Sequence, residues 1–134
     1  MATLKLEIVT PEAKVYSEDV DMVTLPGVEG EMGILPMHIP LMTQLTSGEI
    51  IARKNGQDFF LAVGDGFVEV TGERVSIITD MAIQAENIDE AKAEEARRRA
   101  EARLAEKIDD SEVASVNAAL AHSLAQLKVK RRKR

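Results

Sequence analysis

The pattern of apolar residues changes near residue 86, and this change constrains the fold more than any other feature. Before it come short runs rich in Val, Ile, Thr and Phe, separated by turn signals, as is typical of an all-β domain. After it, Ala, Glu and Arg recur at a helical period. We therefore predict an α+β chain with an N-terminal antiparallel β-sandwich over residues 1–86 and a C-terminal antiparallel two-helix hairpin over residues 87–134.

The N-terminal part contains a regular series of candidate strands. They cover residues 4–10, 20–25, 49–54, 57–63, 66–70 and 74–79. Asn55-Gly56 predicts a type I′ hairpin turn, because both central residues of that turn take positive φ. Thr71-Gly72 predicts the next hairpin. Spacing this regular, without an intervening helix, favours a sandwich of two small sheets.

The C-terminal part predicts two helices and a short connection. The first follows Asn87 as a candidate N-cap with Glu90 three residues later, which is a capping-box pattern. The segment 109–111 interrupts the pattern, and the second helix runs to Lys130. So short a connection makes the helices antiparallel neighbours. Residues four apart predict solvent-facing ion pairs on the first helix, namely Glu94 with Arg98 and Glu95 with Arg99.

The apolar stripes of the predicted hairpin are rich in small residues. They are Ile88, Ala96, Ala100 and Leu104 on the first helix, and Val113, Val116, Leu120, Leu124 and Leu127 on the second. Alanine buries little area, and burial stabilises by roughly 25 cal/mol per Å². We therefore expect the hairpin to dock weakly on the sandwich. A hairpin that leaves its resting position and an ordinary helical appendage both fit this composition.

Composition excludes several functional classes. The chain has no cysteine, so disulfides, thiolate metal sites and cysteine nucleophiles are excluded, and we expect no metal site. It has no apolar run that could span a bilayer and no targeting segment, so any membrane role is expected to be peripheral. The net charge of −6 argues against nucleic-acid binding, although the last seven residues, KVKRRKR, are basic except for Val129.

Two alternative functions follow from the charged and titratable residues. A nucleic-acid adaptor could use the basic end, but the chain offers only one Tyr and three Phe for base stacking. A small enzyme would need a nucleophile, a base and an orienting group around His38 or His122, and no such set can be named. We therefore expect a chain without catalytic residues, in which His38 is a structural or interface residue.

Residues 25–41, LPGVEGEMGILPMHIPL, concentrate the residues that restrict or free the backbone. This stretch holds three of the four prolines and three of the eight glycines: Pro26, Pro36, Pro40, Gly27, Gly30 and Gly33. It lacks Gly-Lys-Ser/Thr, and no helix follows, so it is not a phosphate-binding loop. We predict a stiff, irregular loop of bulges and positive-φ turns between strands.

Several motifs together resemble a known family. LPGVEGEMGILPMHIPLMTQL is followed by GDGFVEV, with strands before and an IDEAKA-led hairpin after. Over nearly the whole chain this resembles the epsilon subunit of bacterial F-type ATP synthases. Two departures are small: family members commonly read Gly-Gly-Phe where this chain has Gly64-Asp65-Gly66-Phe67, and commonly have Gly where Met37 stands.

The resemblance implies a non-catalytic subunit of the central stalk. Such a subunit binds the gamma subunit and the c-subunit ring, and couples proton-driven ring rotation to ATP synthesis in the alpha and beta subunits, with sodium as the alternative ion. It would lie peripherally on the cytoplasmic face of a bacterial cell membrane. The resemblance assigns Glu29, Glu31 and Met32 to the ring interface, and His38 and Thr43 to the gamma interface.

The resemblance also implies that the hairpin inhibits ATP hydrolysis when it extends into the catalytic head. Its basic end would then bind an acidic segment of the catalytic subunits. The residues are Lys128, Lys130, Arg131, Arg132 and Arg134. The alternative is a solvated, frayed tail.

Some family members bind ATP on the folded hairpin through Ile or Leu, Asp, two variable residues, Arg and Ala. Ile88, Asp89 and Ala93 match, but Lys92 replaces the arginine and lacks its bidentate fork. His122 and Gln126 stand where the second helix would supply basic partners. We predict no required cofactor and weak ATP binding or none, with Asp89 as a plain helix-start residue in the alternative.

Overall fold

A computed structural model describes residues 2–132, so Arg134 lies outside the described residues. The strands are β1 (Leu4–Val9), β2 (Lys14–Val20), β3 (Met22–Gly27), β4 (Gly30–Ile34), β5 (Leu41–Leu45), β6 (Gly48–Lys54), β7 (Gln57–Val63), β8 (Gly66–Val70), β9 (Arg74–Thr79) and β10 (Ala82–Gln84). A 3₁₀ turn at Ala85–Asn87 leads to the helices α1 (Glu90–Leu104) and α2 (Asp110–Lys130). The predicted fold class is confirmed.

The strands pair in the order β10-β7-β6-β3-β5-β8-β9-β1-β2, with β4 beside β3. The link between β3 and β5 is a single residue pair, Gly27 with Leu45, so the sheet divides there into two layers. The two layers enclose one core, in which Leu4, Leu25 and Ile50 are fully buried. The pairing of β1 with β9 is parallel, which is an exception to the antiparallel arrangement predicted.

Residues 20–25 do not form the single strand that the sequence predicts. Val20 ends β2, and Met22 begins β3, because Asp21 turns the chain between them. The N–H of Asp21 donates to the carbonyl of Arg53 at 2.7 Å, and its carboxylate accepts from the N–H of Asn55 at 3.0 Å. Four strands were not predicted or were predicted only in small part, namely β2, β4, β5 and β10. They are short, or they carry polar residues that obscure the alternation of apolar and polar side chains.

The proline- and glycine-rich stretch is a β-hairpin followed by a loop. Gly27 and Gly30 face each other where β3 turns into β4, and residues 35–40 form the loop that leads into β5. The predicted positive-φ turns are confirmed, with φ of 130° at Gly30 and 69° at Met37. The predicted irregular, bulged loop is wrong for residues 30–34, which pair with β3 in continuous register. Pro26 lies inside β3, and its carbonyl accepts from the N–H of Thr46 at 2.8 Å.

Both predicted hairpin turns are confirmed. Asn55 and Gly56 join β6 to β7 with φ of 54° and 78°, the two positive values that a type I′ turn needs. Thr71 and Gly72 lie between β8 and β9. The hydroxyl of Thr71 accepts from the N–H of Arg74 at 3.1 Å and fixes this turn.

The N-cap of the first helix lies two residues later than predicted. Asn87 ends the 3₁₀ turn instead, and Asp89 is the N-cap of α1, where its carboxylate accepts from the N–H of Lys92 at 3.1 Å. Asp109 caps α2 in the same way, because its carboxylate accepts from the N–H of Glu112 at 2.9 Å. The predicted surface ion pairs of α1 are confirmed, at 3.4 Å for Arg98–Glu94 and 3.2 Å for Arg99–Glu95.

The second helix packs on two partners at once, α1 on one side and strands β6 and β7 on the other. Its buried residues are Ser123, Ala125, Leu127 and Val129. The single predicted stripe is therefore wrong for Leu124, whose side chain is 48% exposed. On α1 the buried residues are Ala93 and Ala100, while Ala96 and Leu104 are half-buried.

Candidate functional site

Three large apolar side chains stand exposed on the outer face of β5, β8 and β9. The exposed fractions are 73% for Met42, 59% for Phe67 and 65% for Ile78. Phe67 pairs directly with Ile78, and Met42 lies on the strand beside Phe67. Because side chains alternate along a strand, the neighbouring Val68 and Ile77 point into the core. We call Met42, Phe67 and Ile78 the apolar face.

The loop of residues 35–40 adds exposed apolar side chains beside the apolar face. Leu35 is 56% exposed, and Met37 and Ile39 are each 79% exposed. The N–H of Met37 donates to the carbonyl of Gly72 at 2.8 Å, which ties the loop to the turn between β8 and β9. Exposed Gln44 and Glu69 lie between the apolar side chains on the outer face. An exposed apolar cluster with polar neighbours is typical of an interaction site.

A close backbone contact sets the spacing of strands β8 and β9 beneath the apolar face. A Cβ at Gly66 would lie 2.0 Å from the carbonyl oxygen of Ile78 and 2.8 Å from the Cα of Thr79, so only glycine allows β8 and β9 to approach this closely. Met37 keeps a positive φ, which costs a non-glycine residue conformational energy.

The residues assigned to the gamma interface are not part of the apolar face. His38 is half-buried, and its Nδ1 lies 2.6 Å from the carbonyl oxygen of Ile39. Thr43 is half-buried on β5, where Met42 and Gln44 on either side are exposed. Both assignments stay predictions. The apolar face was not predicted from the sequence, although the alternation of GFVEV places Phe67 on the same outer side of the strand as Glu69.

The residues assigned to the ring interface gather at the tip of the β3–β4 hairpin. Glu29 and Glu31 are exposed beside Val28, which is 53% exposed. Met32 differs from them because it is half-buried and packs against the sandwich core. The structure thus presents two carboxylates at one projecting tip, and the ring assignment stays a prediction.

The residues of the predicted nucleotide motif have structural roles in the docked hairpin. Ile88 is 4% exposed and packs with Ala62, Ala125 and Val129 between the hairpin and the sandwich. Ala93 is 3% exposed. Asp89 is occupied as the helix cap described above, and Lys92 is exposed.

The second-helix positions of that motif contact the sandwich. The Nε2 of His122 lies 3.2 Å from a carboxylate oxygen of Asp80, and the Nε2 of Gln126 lies 3.9 Å from the sulfur of Met81. Weak ATP binding stays a prediction. Among residues 2–132, no three His, Asp or Glu side chains are grouped so that they could hold a metal ion.

The basic end of the chain is engaged in the docked hairpin, up to the last described residue. Lys130 donates to the carbonyl of Ala85 at 3.2 Å, and Arg132 donates from Nε to the carboxylate of Glu49 at 2.7 Å. Lys128 is exposed. The alternative of a frayed, solvated tail is therefore wrong for residues 130–132 in this state.

Arg131 joins the end of α2 to the start of α1. Its Nε lies 2.7 Å from the carboxylate of Glu90, and its Nη2 lies 3.0 Å from that of Glu94. The hydrogen bond from Arg97 is the largest cause that lowers the pKa of Glu94 to about 2, and the bond from Arg131 adds to it. The hydrogen bond with Glu90 is the main cause that raises the pKa of Arg131. The two helices are thus held together by ion pairs of their own.

Neither helix in the described part of the chain combines the length and the apolar character that crossing a membrane requires.

Family models match both parts of the chain. The ATP synthase delta/epsilon chain β-sandwich domain matches residues 3–85, and the long α-helix domain of the same chains matches residues 86–131. An ATP synthase epsilon chain from Dehalococcoides mccartyi is 47% identical over 135 residues, covering 100% of this chain and 96% of the relative. One from Pelotomaculum thermopropionicum is 50% identical over 105 residues, covering 78% of each chain.

Solved structures show the same architecture. A chain in the Euglena gracilis mitochondrial ATP synthase, from a structure of OSCP, F1 and c-ring, superposes with a TM-score of 0.78 at 26% identity. The match covers 93% of this chain and 79% of that one. A chain from the central stalk and c-ring of the Tetrahymena thermophila enzyme matches with a TM-score of 0.58 at 15% identity, which supports the fold alone. By sequence and by fold, this protein belongs to the delta/epsilon chain family of ATP synthases.

Proposed function

We propose that this chain is the epsilon subunit of a bacterial F-type ATP synthase and works as a non-catalytic part of its central stalk. The observation that carries the proposal is the exposed apolar face of Met42, Phe67 and Ile78, in a chain that belongs to this family. A rotor joint must transmit torque, and a surface that is ordered before binding loses little entropy when a partner docks.

The apolar face is the docking surface for the gamma subunit. Phe67 lies at its centre, since it pairs with Ile78 and neighbours the strand that carries Met42. Large, exposed aromatic and Met side chains are the kind that anchor protein interfaces. His38 lies in the loop that leads into β5 beside this surface, which supports its assignment, whereas the assignment of Thr43 rests on the family resemblance alone.

The β3–β4 hairpin tip is the contact with the c-subunit ring. Glu29 and Glu31 project from it, so the contact is polar and suits the polar loops of a membrane ring. Through this contact, proton-driven rotation of the ring would reach gamma and the alpha and beta subunits. The chain then sits on the cytoplasmic face of the membrane through its contacts with the complex.

The hairpin is the regulatory element and inhibits ATP hydrolysis when it leaves the sandwich. Its small-residue interface supports this role, because a switch needs two states that differ by only a few kcal/mol. The basic residues at its end would then bind acidic surfaces of the catalytic subunits. ATP would act at most as a weakly bound regulatory ligand.

Co-purification with the gamma subunit tests the docking surface. We compare Phe67→Asp with the matched control Phe59→Asp, since Phe59 is an aromatic residue on β7 that is 43% exposed but lies off the apolar face. Phe67→Asp should abolish recovery of gamma, whereas Phe59→Asp should retain it. Equal recovery with both variants would contradict the proposed surface.

A further inference from the structure

The hairpin docks on the sandwich through little apolar surface. The shared cluster contains Ala62, Ile88, Ala125 and Val129, and two of these four side chains are single methyl groups. Phe60, Met81, Ile83 and Ala85 border the cluster and are half-buried. A cluster of this size holds α2 weakly, so polar contacts can decide how much of the hairpin is docked.

A charged residue of the sandwich is buried beneath this interface. Glu49 lies on β6, and its side chain is 4% exposed, whereas carboxylates are almost never buried without a partner. The Nε of Arg132 lies 2.7 Å from its Oε2, and the Nη2 donates to its Oε1, so the guanidinium grips the carboxylate with two nitrogens.

An aromatic ring completes the surroundings of this arginine. The Arg132 guanidinium carbon lies 4.8 Å from the centroid of the Phe60 ring, within the range of a cation–π contact. Phe60 is on β7, the strand that pairs with β6. Two neighbouring strands thus supply a carboxylate and a ring face, the two groups that a planar guanidinium recognises and an ammonium ion matches less well.

We propose that Glu49 and Phe60 form a guanidinium-binding site on the sandwich, and that its occupation by Arg132 sets the docked fraction of the hairpin. The regulatory part rests on the proposed function. Release of α2 would break both charge-assisted hydrogen bonds between Arg132 and Glu49, which are stronger than bonds between neutral groups. While Arg132 fills the site, it is not available to the catalytic subunits, so docking and inhibition compete for the same residue.

The neighbouring arginine provides a matched control. Arg131 binds Glu90 and Glu94, which both lie on α1. Those ion pairs move with the hairpin and persist when it leaves the sandwich. Neutralising Arg131 therefore removes the same charge as neutralising Arg132, but it removes no contact with the sandwich among those described here.

Thiol labelling of the isolated full chain measures how often the hairpin opens. The chain contains no cysteine, so Ala125→Cys places a single thiol in the docked interface, where Ala125 is 5% exposed. In this background, Glu49→Gln and Arg132→Gln should each raise the labelling rate about tenfold, equivalent to about 1.4 kcal/mol. The double variant should label little faster than either, because both remove the same contact.

The controls separate local opening from unfolding. Arg131→Gln should label within about twofold of the reference chain, a margin well below the tenfold step for 1.4 kcal/mol. Val75→Cys, a thiol in the sandwich core, should stay equally protected in all variants. If Glu49→Gln does not fold, Arg132→Lys gives the test instead, because it keeps the charge but loses the fork and should still label faster. The proposed site would be overturned if the Glu49 and Arg132 variants were labelled no faster than the reference chain. It would also be overturned if Arg131→Gln were labelled as fast as those variants.

Hydrolysis by the assembled complex tests the regulatory role separately. Glu49→Gln is the informative variant, because Glu49 is on the sandwich and its loss leaves the basic end intact. ATP hydrolysis should fall if the released hairpin inhibits. Faster labelling with unchanged hydrolysis would uphold the guanidinium site and refute the inhibitory role of the hairpin.

Discussion

Replacement of Gly66 by alanine should destabilise the sandwich strongly, although it adds a single methyl group. The added Cβ would lie 2.0 Å from the carbonyl oxygen of Ile78 and 2.8 Å from the Cα of Thr79. Both neighbours are backbone atoms of β9, so no side-chain rotation relieves the clash. Strands β8 and β9 would have to separate where they carry the apolar face.

The cost follows from the kind of atom that must move. Overpacking of a well-packed interior costs about 1–3 kcal/mol, and a clash with paired backbone lies at the upper end, so we expect about 3 kcal/mol. For a chain of this length each kcal/mol lowers the melting temperature by roughly 3–4 °C. Gly66→Ala should therefore melt roughly 10 °C below the reference chain.

Gly72→Ala is the matched control within the same β8–β9 hairpin. Its Cβ would meet the Cα of Met37 at 3.8 Å, an ordinary contact. Its unfolding free energy should change by less than about 1 kcal/mol. Urea and thermal unfolding of both variants, followed by circular dichroism, give the comparison. A Gly66→Ala variant as stable as Gly72→Ala would refute the steric argument.

Three further predictions concern the hairpin. The pKa of Glu94 is lowered from 4.5 to about 2, so its ion pairs with Arg97 and Arg131 stabilise the hairpin above pH 4.5 and are lost as the pH falls towards 2. Helicity at 222 nm should decline over that range, and Glu94→Gln should lower it at neutral pH while flattening the acid decline; an unchanged profile would count against the pairs. Asp89→Ala removes the cap of α1 and should cost about 1 kcal/mol. Calorimetric titration of the full chain should show millimolar ATP binding or none, and micromolar binding would contradict the roles assigned to Asp89 and Lys92.

Local chemistry was predictable from the sequence, and it determined several elements. Asn55-Gly56 forms the expected turn because two adjacent positive φ values are a property of those residues themselves. The pairs Glu94–Arg98 and Glu95–Arg99 form because a helix places residues four apart on one side. The motifs of residues 25–41 and GDGFVEV identified the family before the fold was known.

Elements that depend on distant parts of the chain were not predictable in this way. Strand β4 was missed because its glycines are tolerated only through pairing with β3. Asp89 and not Asn87 caps α1, because Asn87 belongs to the 3₁₀ turn that packs against the sandwich. Leu124 is exposed although it lies on the apolar stripe predicted for α2. The helix packs on α1 and on the sandwich, and the spacing of apolar residues does not indicate which side of the helix meets each of them.

The sequence by itself determined the β-then-α order, two hairpin turns, the surface ion pairs and the family, because each depends on residues within a few positions or on a motif. Only the tertiary structure decided which side chains share a surface. It placed Phe67 and Ile78 side by side across a strand pair, and it joined Glu49 to Arg132, 83 residues apart. Contacts at such separations arise from the packing of whole elements, and no local periodicity encodes them.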